Sequence, residues 1–199
     1  MIAEARDGLG LVDAARAAGL APSTAHRILR ALEAAAFVAR GDEGTYVAGR
    51  EIVRLGALHG GDAPLHRLAQ SHLDALATLT QESCYLAVPL DDSWATYVRQ
   101  APSPRAVRHV SWLGRQLPRA GTAVGAALAG HVDGAGAATV RGGVEPDTAA
   151  IAAPVRVRGE IVGAINVVGP GFRIDDAAER AIAAAVTVAA AALERAIGS

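Results

Sequence analysis

The sequence predicts an α+β fold in two parts: a small helical N-terminal unit with a short β-hairpin, and a larger unit in which helices bracket an antiparallel sheet. Three observations lead there. Apolar residues recur at helical spacing on both sides of short runs with strand-like alternation. A Gly/Pro-containing break, Leu58-His59-Gly60-Gly61-Asp62-Ala63-Pro64, divides the chain like a hinge. Beyond it, helical patterns stand at both ends of a series of strands. With 199 residues, each part can bury a core of its own.

Composition narrows the class. A hydrophobic fraction of 51% with 20% charge excludes a disordered or fibrous chain. Much of the apolar content is Ala, so the cores are expected to be helix-rich with thin side chains. All 19 basic residues are Arg, which suits phosphate and carboxylate contacts and follows equally from a compositional bias of the genome. At a net charge of −1 no global field favours nucleic acid, so any such affinity requires a local patch. The lone Cys84 excludes an intramolecular disulfide and points to a reducing compartment. It reads as a small buried hydrophobe, with a redox switch as the alternative. Residues 1–7 lack the apolar core of a signal peptide. The most membrane-like run, Ala181 to Leu193, spans only 13 residues between Glu179-Arg180 and Glu194-Arg195, too few to cross a bilayer. The expectation is a cytoplasmic protein without a membrane partner.

In the N-terminal unit, Leu11 to Ala18 reads as a short helix ended by Gly19 in the left-handed conformation. Pro22-Ser23 opens a second helix, whose Ile28, Leu29, Leu32 and Ala35 form the expected buried face. Phe37–Arg40 and Thr45–Val47 are strands about a Gly41-Asp42-Glu43-Gly44 turn, and Glu51 to His59 is a helix leading into the hinge. In the second unit, Leu65 to Thr80 has apolar residues at 65, 68, 69, 73, 76 and 79, an amphipathic helix. Cys84–Leu90 and Trp94–Arg99 read as strands around Asp91-Asp92-Ser93, and Ala106–Leu113 as a third strand. Gly121 to Gly130 is a small-residue helix, and the glycine-rich stretch from His131 to Pro146 a surface loop. Ile151–Val157 and Ile161–Val168 form a hairpin about Arg158-Gly159-Glu160. Asp175 to Ile197 closes the chain as a long helix capped by Asp175 or Asp176.

Helix, tight turn, helix and hairpin is the layout of a winged helix-turn-helix. The outward face of the second helix carries Ser23, Thr24, His26, Arg27 and Arg30. Hydroxyls and a helix N-terminus contact phosphate, and Arg reads guanine with two hydrogen bonds. Arg40, beside the hairpin tip, could reach an adjacent phosphate or the minor groove. The plainer reading is a structural helix pair with a wet arginine face, since residues 1–60 hold seven Arg against seven acids.

The run Gly19-Leu20-Ala21-Pro22-Ser23-Thr24-Ala25-His26-Arg27-Ile28-Leu29-Arg30-Ala31-Leu32-Glu33, followed by Phe37-Val38 without a glycine, closely resembles the recognition segment of IclR-type bacterial regulators. Gly114-Arg115-Gln116-Leu117-Pro118 with Thr122-Ala123-Val124-Gly125-Ala126-Ala127-Leu128 is similar to that family's effector-domain motif. So are Glu145-Pro146, Ile151-Ala152-Ala153-Pro154-Val155 and Val167-Val168-Gly169-Pro170. The blocks keep the family's order across nearly the whole chain. The resemblance implies a winged helix-turn-helix over residues 1–50, a linker helix and hinge over 51–63, and a GAF-like effector-binding and oligomerisation domain over 64–199. It also implies a homodimer or homotetramer on palindromic double-stranded operator DNA, and a small effector, commonly an organic acid or an aromatic.

Three departures from the family pattern stand out. The first helix looks clipped at Met1 to Asp7, a helical insert between Gly130 and Arg141 is reduced, and a motif lysine is Ala126. By motif position the effector pocket is lined by Ala106, His109, Leu117, Ala123, Val124, Ala150, Asn166 and Val168. The helix starting near Thr122 would offer N–H groups to a carboxylate, and Asn166 a donor and an acceptor. Ala150 and Val168 stand where some relatives carry hydroxyl or thiol groups, which favours a more apolar effector or a degenerate pocket. Trp94 and Trp112 read as core or pocket wall. No histidine pair has metal-ligand spacing, and neither a phosphate loop nor a nucleophile elbow is present, so no enzyme, metal or cofactor is expected. The rival class is a ligand-binding or dimerisation module that has lost DNA binding.

Overall fold

A computed structural model describes residues 2, 5, 8–41, 44–59 and 64–198. The expectations for most of residues 1–7, for Asp42-Glu43 in the hairpin turn and for the hinge at 60–63 lie outside the described residues. The chain divides into two compact units, Met1–His59 and Gly60–Ser199.

In the first unit, α1 (Leu11–Ala18) ends at Gly19, whose φ of 66° lets its backbone N–H bond back to the Arg16 carbonyl. Helix α2 (Pro22–Ala34) starts with Pro22 in its first turn, where a missing N–H costs nothing. Strands β1 (Val38–Arg40) and β2 (Tyr46–Ala48) pair antiparallel with Arg40 opposite Tyr46. Leu9 bridges Tyr46 through two backbone hydrogen bonds, which widens the hairpin toward the start of α1. Ala14, Leu29, Val38 and Tyr46 form the core, joined by Leu9, Leu11 and Leu32. Helix α3 (Arg50–His59) follows directly. The buried face of α2 is Ala25 and Leu29 with Leu32 behind them; Ile28 is 41% exposed and Ala35 lies past the helix end, also exposed. The correction has a geometric cause. Ala25 and Leu29 sit one above the other four residues apart, which leaves Ile28 on the flank.

The second unit is a six-stranded antiparallel sheet in the order β5-β4-β3-β8-β7-β6. Its strands are β3 (Ser83–Pro89), β4 (Trp94–Ala101), β5 (Gln116–Pro118), β6 (Ala138–Arg141), β7 (Thr148–Val157) and β8 (Glu160–Pro170). The β7–β8 hairpin closes on two residues, Arg158 (φ 53°) and Gly159 (φ 88°), the mirror-image turn that matches strand twist. Helix α4 (Pro64–Thr80) precedes the sheet, α5 (Ala123–Leu128) interrupts it and α6 (Asp176–Gly198) closes it, with Asp175 accepting from the N–H groups of Ala177 and Ala178. Leu79, expected on the buried face of α4, is exposed, and Ala77 is buried instead.

Two further expectations are corrected. Ala106–Leu113 is an irregular loop, in which only Leu113 forms a bridge, to Tyr97. Pro102 and Pro104 lack ladder donors, and only His109 and Trp112 turn inward, three residues apart rather than two. The third strand of that half is the short β5. Conversely, the glycine-rich stretch contains β6, paired with β7 from Ala138 opposite Ala152 to Arg141 opposite Ala149. Helix α6 is 23 residues with a mean hydropathy of 1.6 over its most apolar window, so length and composition alone would let it cross a membrane. The 13-residue apolar run understates it. Ile182, Ala183, Val186, Ala190 and Leu193 are buried, and α6 packs against β7 and α4.

Alternation along the strands sorts the interior into two layers. Cys84, Leu86, Ile151, Ile165 and Val167 lie on one side, that of α4 and α6. Tyr85, Ala87, Tyr97, Ala152, Ala164 and Val168 lie on the other, in one cluster with Trp112, Leu117 and the α5 residues Ala123, Val124, Ala127 and Leu128. The segment that links β5 to α5 can pass so close to the helix only because position 125 is glycine. A Cβ there would stand 1.7 Å from the Arg119 carbonyl oxygen.

Candidate nucleic-acid interface and ligand cavity

Ser23, His26, Arg27 and Arg30 are exposed on α2, and Thr24 is half-buried. The neutral charge balance of this unit hides how its charges are distributed. Asp13 pairs with Arg16 at 3.0 Å, Glu51 with Arg54, and Glu33 with Arg40 at 3.6 Å. Among the described residues, Arg27 and Arg30 have neither an ion pair nor a hydrogen-bond partner. Among the described residues, the acids Asp13, Glu33 and Glu51 are thus engaged with other arginines, and the guanidinium groups of Arg27 and Arg30 remain on the outer face of α2. Arg40 lies beside the hairpin tip, as the sequence places it, and is engaged within the unit. Its guanidinium stacks on the Tyr46 ring, 4.1 Å from the centroid, and donates to the Gly44 carbonyl at 3.1 Å. It stands at the turn end of the hairpin, folded back over Tyr46 and paired with Glu33.

In the second unit, Tyr97, Trp112, Thr122, Val140, Val144, Glu145 and Thr148 line a cavity together with His109, Leu117, Ala123, Val124, Ala150, Asn166 and Val168. The last seven are residues the sequence selected. Ala106, the eighth, is exposed on the loop after Pro104 and stands outside the cavity. Tyr97 carries no motif signal; only its position on β4 opposite Ala87, beside Tyr85 and facing α5, brings it to the cavity. Glu145 belongs to a quoted motif, yet its proximity to His109 follows from the return of the chain between β6 and β7.

The free volume is about 30 Å³, room for roughly two or three water molecules. In this state the cavity is too narrow for a metabolite, whose entry requires its wall to widen. Helix α5 has six residues, and Thr122 caps it, accepting from the Gly125 N–H at 3.1 Å. One of the N–H groups expected to receive a carboxylate is therefore already used.

A hydrogen-bonded chain crosses the cavity wall. Ser111 Oγ donates to Gln100 Oε1, Gln100 Nε2 donates to Tyr85 Oη at 3.2 Å, and Tyr85 Oη lies 2.7 Å from His109 Nδ1. His109 Nε2 faces Glu145 Oε2 at 3.5 Å. With a carboxylate facing Nε2, the imidazole hydrogen belongs on that nitrogen, and Nδ1 then accepts from the tyrosine hydroxyl. Burial pushes the His109 pKa below its ordinary value, against the opposing pull of Glu145, which keeps the ring neutral. Asn166 Nδ2 donates to Tyr97 Oη at 2.6 Å, while Asn166 Oδ1, fully buried, has no partner among the described residues. Cys84 lies on the far face of the sheet, buried, with its thiol pKa pushed up to about 12 by desolvation.

Comparison with known proteins gives a consistent result. Residues 1–42 match the IclR helix-turn-helix domain, and residues 57–140 match the C-terminal domain of the bacterial transcriptional regulator IclR. The chain is 31% identical to the glycerol operon regulatory protein of Streptomyces griseus, over 96% of this chain and 89% of that protein. It is 36% identical to the glycerol operon regulatory protein of Streptomyces coelicolor over 62% of this chain, a match that spans about half (48%) of that relative. Among solved structures, Thermotoga maritima IclR has a TM-score of 0.64 at 17% identity, covering 100% of this chain and 94% of the other. An IclR homolog from Microbacterium hydrocarbonoxydans, complexed with 4-hydroxybenzoate, has a TM-score of 0.59 at 22% identity over 97% and 92%. These structural likenesses establish the fold, while the sequence matches extend over both units. The chain belongs to the IclR family of bacterial transcriptional regulators.

Proposed function

We propose that this chain controls transcription in the cytoplasm by binding double-stranded operator DNA through α2 and the adjacent hairpin, and that a small molecule in the cavity of the second unit sets that affinity. One observation carries the DNA half: Arg27 and Arg30 stand exposed on α2 with no partner among the described residues, while Asp13, Glu33 and Glu51 of the same unit are engaged elsewhere. Arginines on a helix exposed beside a hairpin have the reach to contact guanine in the major groove, with Ser23 and the N-terminus of α2 on phosphate. Thr24, His26 and Ile28 complete the surface that faces the bases, Ile28 as an apolar contact suited to a thymine methyl.

The relatives support a regulator that responds to a metabolite. Two are named for a glycerol operon, and a structural neighbour was solved with 4-hydroxybenzoate. The protein works as a homodimer or homotetramer on a palindromic site, without catalytic chemistry of its own. Ligand entry forces the closed cavity open, which shifts the spacing of recognition helices that must meet half-sites about 34–36 Å apart. The test is a gel shift on the promoter region of the protein's own gene. Wild type gives a discrete complex that competitor DNA of unrelated sequence does not remove, and Arg27→Ala loses about 1–3 kcal/mol of discrimination between them. Absence of a complex with wild type would favour the rival, a ligand-binding or dimerisation module without DNA binding.

A further inference from the structure

We infer that the cavity ligand is a small neutral hydroxyl compound, an alcohol or a phenol, rather than an organic acid; this deepens the reading that the cavity holds the effector. The argument rests on what faces the cavity. The chain has no lysine, and among the described residues no arginine lines the cavity; the charged side chain that does is the carboxylate of Glu145. The nearby guanidinium of Arg115 is stacked on Trp112, 4.8 Å from the ring centroid, and is not part of the wall. His109 turns Nε2 to Glu145 at 3.5 Å, and burial favours its neutral form.

A carboxylate in this space would lose its water, meet a like charge and find no cation in exchange, which is the costly arrangement for a buried ion. The polar groups left over want the opposite. Thr122 already donates to the carbonyls of Pro118 and Arg119, and Thr148 to that of Glu145. What remains is the amide of Asn166, nine-tenths buried and more, with one end paired to Tyr97 and the other unpaired. Rotating that amide about its last bond exchanges oxygen for nitrogen and still leaves one end unpaired in the wall. A hydroxyl group both donates and accepts, so it satisfies Asn166 in either orientation, and where it accepts from the amide nitrogen its own hydrogen is left for Glu145. The walls of Tyr97, Trp112 and Val168 suit a hydrocarbon or ring body.

The test compares molecules of one skeleton that differ in a single group: benzyl alcohol against benzoate, and 1,2-propanediol against lactate, titrated calorimetrically into the full chain. In each pair the alcohol is expected to bind at least about tenfold more tightly than the acid. Glu145→Gln, a change at a partly exposed side chain that preserves size, should bring the two members of a pair within about threefold. Asn166→Leu should weaken both alcohols at least about tenfold, its folding verified by circular dichroism. Equal or tighter binding of the acids by wild type overturns the inference, as does an alcohol-to-acid ratio that Glu145→Gln leaves unchanged. If neither pair binds while the operator complex forms normally, both this inference and the effector role of the cavity fall and DNA binding stands. If the alcohols bind as expected and no operator complex forms, the ligand class stands and the regulatory reading fails.

Discussion

Gly125 shows how much of this fold depends on one absent methyl group. Its Cβ would lie inside the Arg119 carbonyl, and backbone cannot step aside as the end of a side chain can. Gly125→Ala is therefore expected to cost about 3 kcal/mol or more, read as a lower urea midpoint with an unchanged slope. Glu82 and Arg173 make the complementary case. The buried carboxylate is held by two guanidinium hydrogen bonds of 2.6 and 2.8 Å, across 91 positions of sequence. Arg173→Leu leaves that charge buried and unpaired, so a loss of about 3 kcal/mol is expected in the same assay. His66 and His109 introduce pH dependence. Burial is the first cause that lowers both below 6.5. As pH falls through 6.5 the unfolded chain takes up protons before the folded one, so stability is full above 6.5 and declines toward the depressed folded values. Urea midpoints at pH 8, 6.5 and 5.5 should fall in that order, and more shallowly in His109→Gln. A flat or rising series on acidification would refute the assignment.

Among the elements, the turn from α2 to β1 carries an avoidable strain. Ala36 has a φ of 58°, a left-handed conformation that costs an L-residue about 1–2 kcal/mol. Ala36→Gly should raise stability by about 0.5–1 kcal/mol in thermal or urea unfolding, part of the relief being offset by the greater freedom of glycine when unfolded. Elements with local punctuation were legible in the sequence: Gly19 and Pro22 mark the helix turn, Asp175 the start of α6, and Arg158-Gly159 the two-residue hairpin. Those defined by a distant partner were not. Strand β6 exists because β7 offers it an edge, and Ala106–Leu113 fails as a strand because its inward residues are three apart. The cavity divides the same way. Seven of its residues carry motif positions, whereas Tyr97 arrives through the pairing of β3 with β4, which no local pattern announces. Ile28 was misplaced because helical spacing alone does not say where the buried arc is centred; Ala25, too small to attract notice, is what centres it.

For the whole molecule, the two units divide the work. If Arg27 and Arg30, exposed in a unit of balanced charge, carry the proposed DNA contacts, affinity depends on a few phosphate and base contacts and the salt dependence of binding should be modest for a regulator. The cavity in the other unit is too small in this state to hold a metabolite, so ligand binding and widening of its wall are one event. The most direct measurement of the central claim is fluorescence anisotropy of a labelled operator fragment titrated with wild type, Arg27→Ala and Arg30→Ala, each repeated with a fragment of scrambled sequence. Wild type should prefer the operator, with the preference reduced about tenfold or more in at least one variant. Equal affinity of wild type for both fragments, or variants that keep the full preference, would contradict it.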